Sequence, residues 1–110
     1  MMIFSYQDDD EVHRGEVRNF EKTVGVHMEF DVYFGDDDVH FGQTYKFVLD
    51  WRDGRWVGTW RLSHSHLNFG ESWTGTVTAH TRPNNEGYFG TLVAEDGYEY
   101  RFGISSSLER

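Results

Sequence analysis

Histidines and acidic residues are the side chains of this chain whose spacing could support chemistry. His64 and His66 lie two residues apart, so on a strand they share one face, a spacing that zinc or copper can use. His80 is the nearby candidate for a third ligand, but no local spacing fixes its position. We therefore expect a polar hairpin end at His64–His66 and no metal site.

A second candidate metal site is the acidic run Asp36, Asp37 and Asp38. With the residues that follow, it places oxygens at alternate positions, as a calcium loop does. The later glutamate and the correctly spaced glycine of an EF-hand are missing from the sequence. This pattern favours a solvated acidic loop.

Motifs for catalysis are missing as well. The sequence has no cysteine, no Gly-rich phosphate loop and no Ser nucleophile elbow. Glu29 and Asp31 could contribute to a carboxylate pair for glycoside hydrolysis, but nothing in the sequence fixes the separation of such a pair. We therefore expect a protein that is not an enzyme and that carries no cofactor.

The charge of the 110-residue chain is concentrated in its first half. The net charge is −9, and residues 1–50 carry 12 acidic and 4 basic side chains, a net of −8. Such a field repels nucleic acid and attracts a basic protein surface. The alternative is that acidic residues keep an aromatic-rich β protein soluble.

The apolar residues are scattered and often aromatic. Phe, Tyr and Trp make up 17% of the chain, and the unbroken apolar runs are only a few residues long. This pattern favours thin alternating strands, and it gives no membrane-spanning segment and no secretory signal. We expect one domain, residues 1–110, in the cytoplasm; the oligomeric state does not follow from the sequence.

The first half of the chain contains three predicted strands, at residues 2–6, 12–20 and 24–34. The third has the clearest period of two, with its apolar residues on one face: Val24, Val26, Met28, Phe30, Val32 and Phe34. Glu29, Asp31 and Tyr33 lie on the opposite face.

Turn residues in the second half predict both hairpins and registers. Asp53-Gly54 is typical of a type I′ turn, which predicts three apolar pairs: Trp51–Trp56, Leu49–Gly58 and Phe47–Trp60. A three-residue turn that ends at Gly97 pairs Leu92 with Tyr100. A turn at 82–85 places Val77 opposite Gly90, and Trp60 is expected opposite Gly75.

A small pattern recurs three times, each time as an aromatic residue, any residue, Gly, Thr and a large apolar residue. The copies start at Trp56, Trp73 and Tyr88. Inward glycines let strands coil tightly, so we predict an all-β antiparallel up-and-down meander of seven or eight strands that forms a closed or nearly closed barrel. A two-sheet β-sandwich is the alternative.

The run of short Gly-Thr strands in residues 45–104 resembles calycin-type barrels, the lipocalin and avidin-like families. The resemblance rests on Trp56-Val57-Gly58-Thr59-Trp60 and on the Gly-Thr strands that follow it. It implies a barrel that holds a small ligand in its mouth. No binding residue of those families is carried over, because their positions do not match this sequence.

Two functional hypotheses follow. In the first, the protein is an acidic binding module that docks a basic protein, as a virus-encoded inhibitor of a nucleic-acid-binding protein would, without binding nucleic acid itself. Its predicted partner-binding residues are Asp8, Asp9, Asp10, Glu29, Asp31, Tyr33, Asp36, Asp37 and Asp38. In the second, the barrel binds an apolar or aromatic small molecule. Its predicted ligand-binding residues are Trp51, Trp56, Trp60, Trp73 and Tyr100.

Overall fold

The computed structural model describes residues 2–35, 42–64, 73–83 and 86–106. In these ranges the chain forms eight strands: β1 (Met2–Asp8), β2 (Glu11–Thr23), β3 (His27–Phe34), β4 (Gln43–Arg52), β5 (Arg55–His64), β6 (Thr74–Thr81), β7 (Gly87–Ala94) and β8 (Glu99–Ser106). Every strand pairs antiparallel with its sequence neighbours, and β1 also pairs with β8. The predicted closed up-and-down barrel is therefore confirmed, and the sandwich alternative is wrong.

The hairpin between β4 and β5 has the predicted turn and register. Asp53 and Gly54 have φ angles of 52° and 82°, the positive values that a type I′ turn needs at both central residues. The predicted pairs are present: Trp51 with Trp56, Leu49 with Gly58 and Phe47 with Trp60.

The predicted registers of β5–β6 and β7–β8 are also confirmed. Trp60 lies opposite Gly75, and Leu92 lies opposite Tyr100. Gly97 has a φ of 88°, which is the left-handed conformation expected for the third residue of this turn.

The predicted register between β6 and β7 is wrong by two residues. Val77 lies opposite Leu92 instead of Gly90. The connection between β6 and β7 is longer than the predicted turn. The last backbone hydrogen bond before it runs from the Arg82 N–H to the Gly87 carbonyl, at 2.9 Å. A shift of two residues leaves every side chain on its own face, so the hydrophobic pattern fits both registers.

The strand predicted at 24–34 begins three residues later than its alternation indicates. Val24 and Val26 belong to the turn between β2 and β3 and are 83% and 58% exposed. Gly25 has a φ of 71°, and the Val26 N–H donates to the Thr23 carbonyl at 3.0 Å. The apolar alternation thus continues through a turn that glycine makes possible.

The two ends of the barrel are filled differently. At the base, where the β2–β3 and β4–β5 turns lie, bulky side chains fill the interior: Phe20, Met28, Phe30, Trp56 and Tyr88. The β1–β2 and β7–β8 turns lie at the opposite end, which we call the mouth. Because every strand points alternate side chains inward, the residues near the strand ends at the mouth decide whether that end is open.

Candidate ligand-binding cavity

A cavity of about 420 Å³ lies at the mouth. Its wall contains six aromatic side chains, which we call the aromatic collar: Tyr6, Phe34, Tyr45, Trp60, Trp73 and Tyr100. Phe4 and Phe47 line it deeper in the barrel, where both are buried. The cavity is therefore an aromatic cup above the packed core.

Edge-to-face and tilted ring contacts join collar residues of different strands. Tyr6 of β1 meets Tyr100 of β8 with ring centroids 5.5 Å apart and Phe34 of β3 at 6.2 Å. Tyr45 of β4 continues the series, 5.7 Å from Phe34 and 5.8 Å from Trp60 of β5. Such pairs each contribute about 0.5–1.5 kcal/mol beyond burial, so the collar is held in shape before a ligand arrives.

None of the described residues that β6 and β7 contribute to the cavity wall is aromatic: they are Thr74 at the start of β6, and Leu92 and Ala94 of β7. A ring at these positions would fill the cup, as Phe30 and Trp56 fill the base. The cavity therefore follows from the uneven sizes of inward residues around one closed sheet.

Glycine 75 sets the position of the largest collar side chain. A Cβ atom added to Gly75 would lie 2.7 Å from Nε1 of Trp60, so the indole occupies the space that a side chain would take. The same Nε1–H donates to the Thr76 carbonyl at 3.1 Å. This contact and hydrogen bond fix the Trp60 ring as one wall of the cup.

Three carboxylates also line the cavity: Asp8 at the end of β1, and Glu95 and Asp96 in the β7–β8 turn. Tyr98 ties this turn to the β1–β2 turn, because its N–H donates to Asp96 Oδ1 at 3.0 Å and its hydroxyl donates to Asp9 Oδ1 at 3.4 Å. The rim of the cup on this side is acidic.

Burial and the nearby carboxylates raise the pKa values of three tyrosines at the mouth. The charge of Asp9, together with burial and the charge of Asp8, raises the pKa of Tyr98. Burial, followed by the charges of Asp8 and Asp96, raises the pKa of Tyr100. Burial also raises the pKa of Tyr45, whose hydroxyl donates to Gln43 Oε1 at 2.9 Å. Tyr45, Tyr98 and Tyr100 therefore stay neutral at physiological pH.

Three of the five predicted ligand-binding residues line the cup. Trp60, Trp73 and Tyr100 are in its wall. Trp56 is 1% exposed and belongs to the base, and Trp51 is 38% exposed beside it, with ring centroids 5.1 Å apart. Trp51 and Trp56 thus contact each other at the base and do not line the cavity.

The predicted partner-binding residues lie in separate places. Asp8 lines the cup, Asp9 and Asp10 form the β1–β2 turn, and Asp36, Asp37 and Asp38 lie outside the described residues. Glu29, Asp31 and Tyr33 are on the outer face of β3. Asp8 pairs with Glu11 on β2, whereas Glu29 pairs with Glu21, ten residues further along the same strand, which is roughly 30 Å. Glu29 therefore lies far from the mouth, whereas Tyr33, which pairs with Glu16, lies nearer to it.

Basic and polar side chains already engage the acidic residues of β3. Glu29 lies 3.2 Å from Nε2 of His27 and 3.8 Å from Nζ of Lys46. Asp31 accepts a hydrogen bond from Asn19 at 2.9 Å, and the Arg18 guanidinium lies 4.2 Å from the Tyr33 ring centroid. This face is mixed in charge.

His27 gives the outer face a pH-dependent contribution to stability. Hydrogen bonds to Asp50 at 2.7 Å and to Glu29 raise its pKa above 6.5. Its charged form stabilises the fold fully below the unfolded pKa, and this stabilisation is lost as the pH rises through the raised pKa. The hydrogen bond from His27 and the charge of Lys46 lower the pKa of Glu29, so Glu29 contributes above its ordinary value of 4.5.

We therefore expect His27→Gln to lower the melting temperature more at about pH 5.5 than at about pH 8.5. Thermal unfolding followed by circular dichroism at both pH values measures the difference. His80→Gln, at an exposed histidine that packs against Phe89, is the control for the loss of an imidazole from the outer face. An equal loss at both pH values for His27→Gln would contradict the assignment.

The histidines considered as metal ligands lie only partly among the described residues. Among the described residues, no group of three or more His, Cys, Asp or Glu side chains is placed to hold a metal ion. His66 and the side chain of His64 lie outside the described part of the chain. In the same described part, no helix is long and apolar enough to cross a membrane.

Sequence reasoning missed half of the collar. Tyr6, Phe34 and Tyr45 were not among the predicted ligand-binding residues, and Asp8 was assigned to a protein interface. Tyr6 and Asp8 lie two apart just before a turn, so they share a face and an end of the barrel. An inward aromatic residue next to a turn at the mouth was the available signal.

Comparisons with protein-family models, curated proteins and solved structures find no match for this chain.

Proposed function

We propose that this barrel binds a small organic molecule with an apolar or aromatic body in the cup at its mouth. The cavity of about 420 Å³ with its aromatic collar carries the proposal. Ligand sites in proteins are typically clefts of about 300–1,000 Å³ lined mainly by apolar and aromatic side chains with a few polar groups. The cup has this size and this composition.

The cup is built to bind without large rearrangement. Collar rings that pack on one another are ordered before binding, which reduces the conformational entropy lost when a ligand enters. The buried floor, Phe4 and Phe47, offers apolar surface, and each Å² of apolar ligand surface removed from water contributes about 25 cal/mol. Asp8 and the two carboxylates of the β7–β8 turn supply polar groups at the rim.

Two earlier hypotheses stand beside this proposal as predictions. The resemblance to calycin-type barrels agrees with a ligand at the mouth but contributes no binding residue. Docking of a basic protein has less support from the geometry, because its acidic residues are divided between the mouth and β3 and several are already engaged. A salt-sensitive complex with a basic partner remains its test.

Titration of ¹⁵N-labelled protein with neutral aromatic compounds, indole and naphthalene, tests the proposed function. We expect shifts at the amides of Tyr6, Ala94 and Tyr100 and at the indole N–H of Trp60. The indole N–H of Trp56, which lies at the base, should not move. Shifts confined to the base, or none at saturating compound, would contradict binding in the cup.

Filling the cup should abolish binding without unfolding the barrel. Ala94 lines the cavity on its open side, so the indole of Ala94→Trp should occupy it and weaken binding of naphthalene at least about tenfold, or about 1.4 kcal/mol. Val93→Trp is the matched control, because the neighbouring residue of β7 points to the outer face. Calorimetric titration measures both variants, and equal affinities would refute the site.

A further inference from the structure

The cup combines two features that attract positive charge. Aromatic rings carry a quadrupole with a negative face, and an organic cation within about 6 Å of a ring centroid is attracted to it. Eight aromatic side chains line this cavity, six in the collar and two, Phe4 and Phe47, deeper in the barrel. Rings from several directions around one space can surround a rounded cation in a way that one ring cannot.

The second feature is the sign of the charges at the rim. Asp8, Glu95 and Asp96 line the cavity, and Asp9 lies next to them, bonded to Tyr98. None of the described residues that line the cavity is Lys, Arg or His. An anionic ligand would meet three carboxylates with no compensating charge, whereas a cation would be drawn to them.

The same carboxylates act on two tyrosines at the mouth. Asp9 raises the pKa of Tyr98, and Asp8 and Asp96 add to the effect of burial in raising that of Tyr100. Both tyrosines therefore experience negative potential at the mouth. The potential extends from the rim to Tyr100, which is in the wall of the cup.

We infer that the ligand is an organic cation with an alkylated ammonium group, seated among the collar rings on the side of Asp8 and Asp96. This inference rests on the proposed function and names the class of molecule bound. A metal ion fits poorly, because the described carboxylates do not converge as a ligand set. An alkylated ammonium group has apolar surface for the rings and a charge for the rim, and it needs no close ring of hydrogen-bond acceptors.

Two probes of nearly equal shape test the charge. Phenyltrimethylammonium carries a positive charge, and tert-butylbenzene is its neutral counterpart. We expect the cation to bind the wild-type protein about tenfold tighter at low salt in calorimetric titration. Raising the ionic strength from ~0.02 M to ~0.5 M should weaken binding of the cation and leave the neutral probe unchanged.

Removing negative charge from the rim tests whether its carboxylates cause the preference for the cation. Asp8→Asn combined with Asp96→Asn keeps side-chain size and keeps an acceptor for the Tyr98 N–H. This variant should bind phenyltrimethylammonium about tenfold more weakly and tert-butylbenzene as the wild type does. Asp53→Asn removes one charge at the opposite end of the barrel, in a turn that also suits asparagine, and should leave both affinities unchanged.

The outcomes separate this inference from the proposed function. Equal binding of both probes to the wild type would overturn the cation while leaving a ligand-binding cup. Equal weakening of both probes in the rim variant would show that the carboxylates only maintain the shape of the site, and would also overturn it. No binding of either probe would overturn both the cation and the cup.

Discussion

Gly58→Ala should lower the free energy of unfolding by about 3 kcal/mol or more, at the upper end of the cost of overpacking. Gly58 of β5 lies opposite Leu49 of β4. A Cβ atom at this position would overlap the Val48 carbonyl oxygen and lie 2.7 Å from the Leu49 Cα. The obstructing atoms belong to the backbone of a paired strand, so they cannot rotate away as a side chain can.

Urea denaturation of Gly58→Ala measures the loss, and the slope should stay close to the wild-type value if the unfolded state is unchanged. Gly103→Ala is the matched control. A Cβ atom at Gly103 would meet Nη2 of Arg82 at 2.7 Å, the far end of a flexible side chain, and next the Tyr88 carbonyl at 3.8 Å. We expect Gly103→Ala to be neutral or stabilising by up to about 1 kcal/mol. Equal losses in the two variants would contradict a backbone clash.

Gly58 also shows what the sequence could predict. Turn chemistry at Asp53-Gly54 and the alternation around it specify the face and partner of Gly58, and both are confirmed. The sequence predicts only that inward glycines let the strands coil tightly. The structure gives a more direct reason: Gly58 and Gly75 each allow two strand backbones to approach closely, against the carbonyls of Val48 and Val93, and Gly75 also lies under the Trp60 indole.

Alternation limits what can be predicted about register and strand ends. It is unchanged by a shift of two, which is why the β6–β7 register was wrong, and it continues through the turn at Val24 and Val26. In β2 it is interrupted at Asn19, whose φ of 53° accompanies a bulge between Arg18 and Glu21. A bulge changes which residues share a face, so this strand had only a weak signal.

The cup could not be predicted from any single strand. Its rings come from β1, β3, β4, β5 and β8 and from Trp73 just before β6, and they meet because β1 pairs with β8 and closes the sheet. Strand patterns show which side chains point inward but not how large the opposing residues are at the same height. The lack of a ring at Thr74 and Ala94 matters only because closure of the barrel places them around the same cavity as Tyr6 and Tyr45.

Phe4→Ala should lower the free energy of unfolding by about 3–5 kcal/mol, a large part of the roughly 5–15 kcal/mol of a typical domain. Phe4 is 1% exposed and its ring centroid lies 5.3 Å from that of Phe47 and 5.4 Å from that of Phe102. It therefore joins β1 to strands on both sides of the closure. Urea denaturation measures the loss.

Ile3→Ala is the control for Phe4→Ala, because the neighbouring residue of β1 points to the outer face and is only partly buried. We expect it to cost less than half as much. Phe4→Leu keeps an apolar side chain and should also cost much less, which separates the loss of volume from disruption of the strand. Equal losses for Ile3→Ala and Phe4→Ala would show that the Phe4 ring does not hold the closure.

Phe4 also forms part of the floor of the cup, so Phe4→Leu should strengthen the binding of a small aromatic ligand. Removing the ring deepens an apolar cavity, and apolar cavities in protein cores accept small aromatic molecules. Naphthalene should therefore raise the melting temperature of Phe4→Leu more than that of the wild type, because a ligand that binds only the folded state stabilises it more as its affinity increases. Scanning calorimetry at equal naphthalene concentrations compares the two proteins. A smaller shift in Phe4→Leu would mean that the space below the collar closes when the ring is removed, and that the cup ends at the collar.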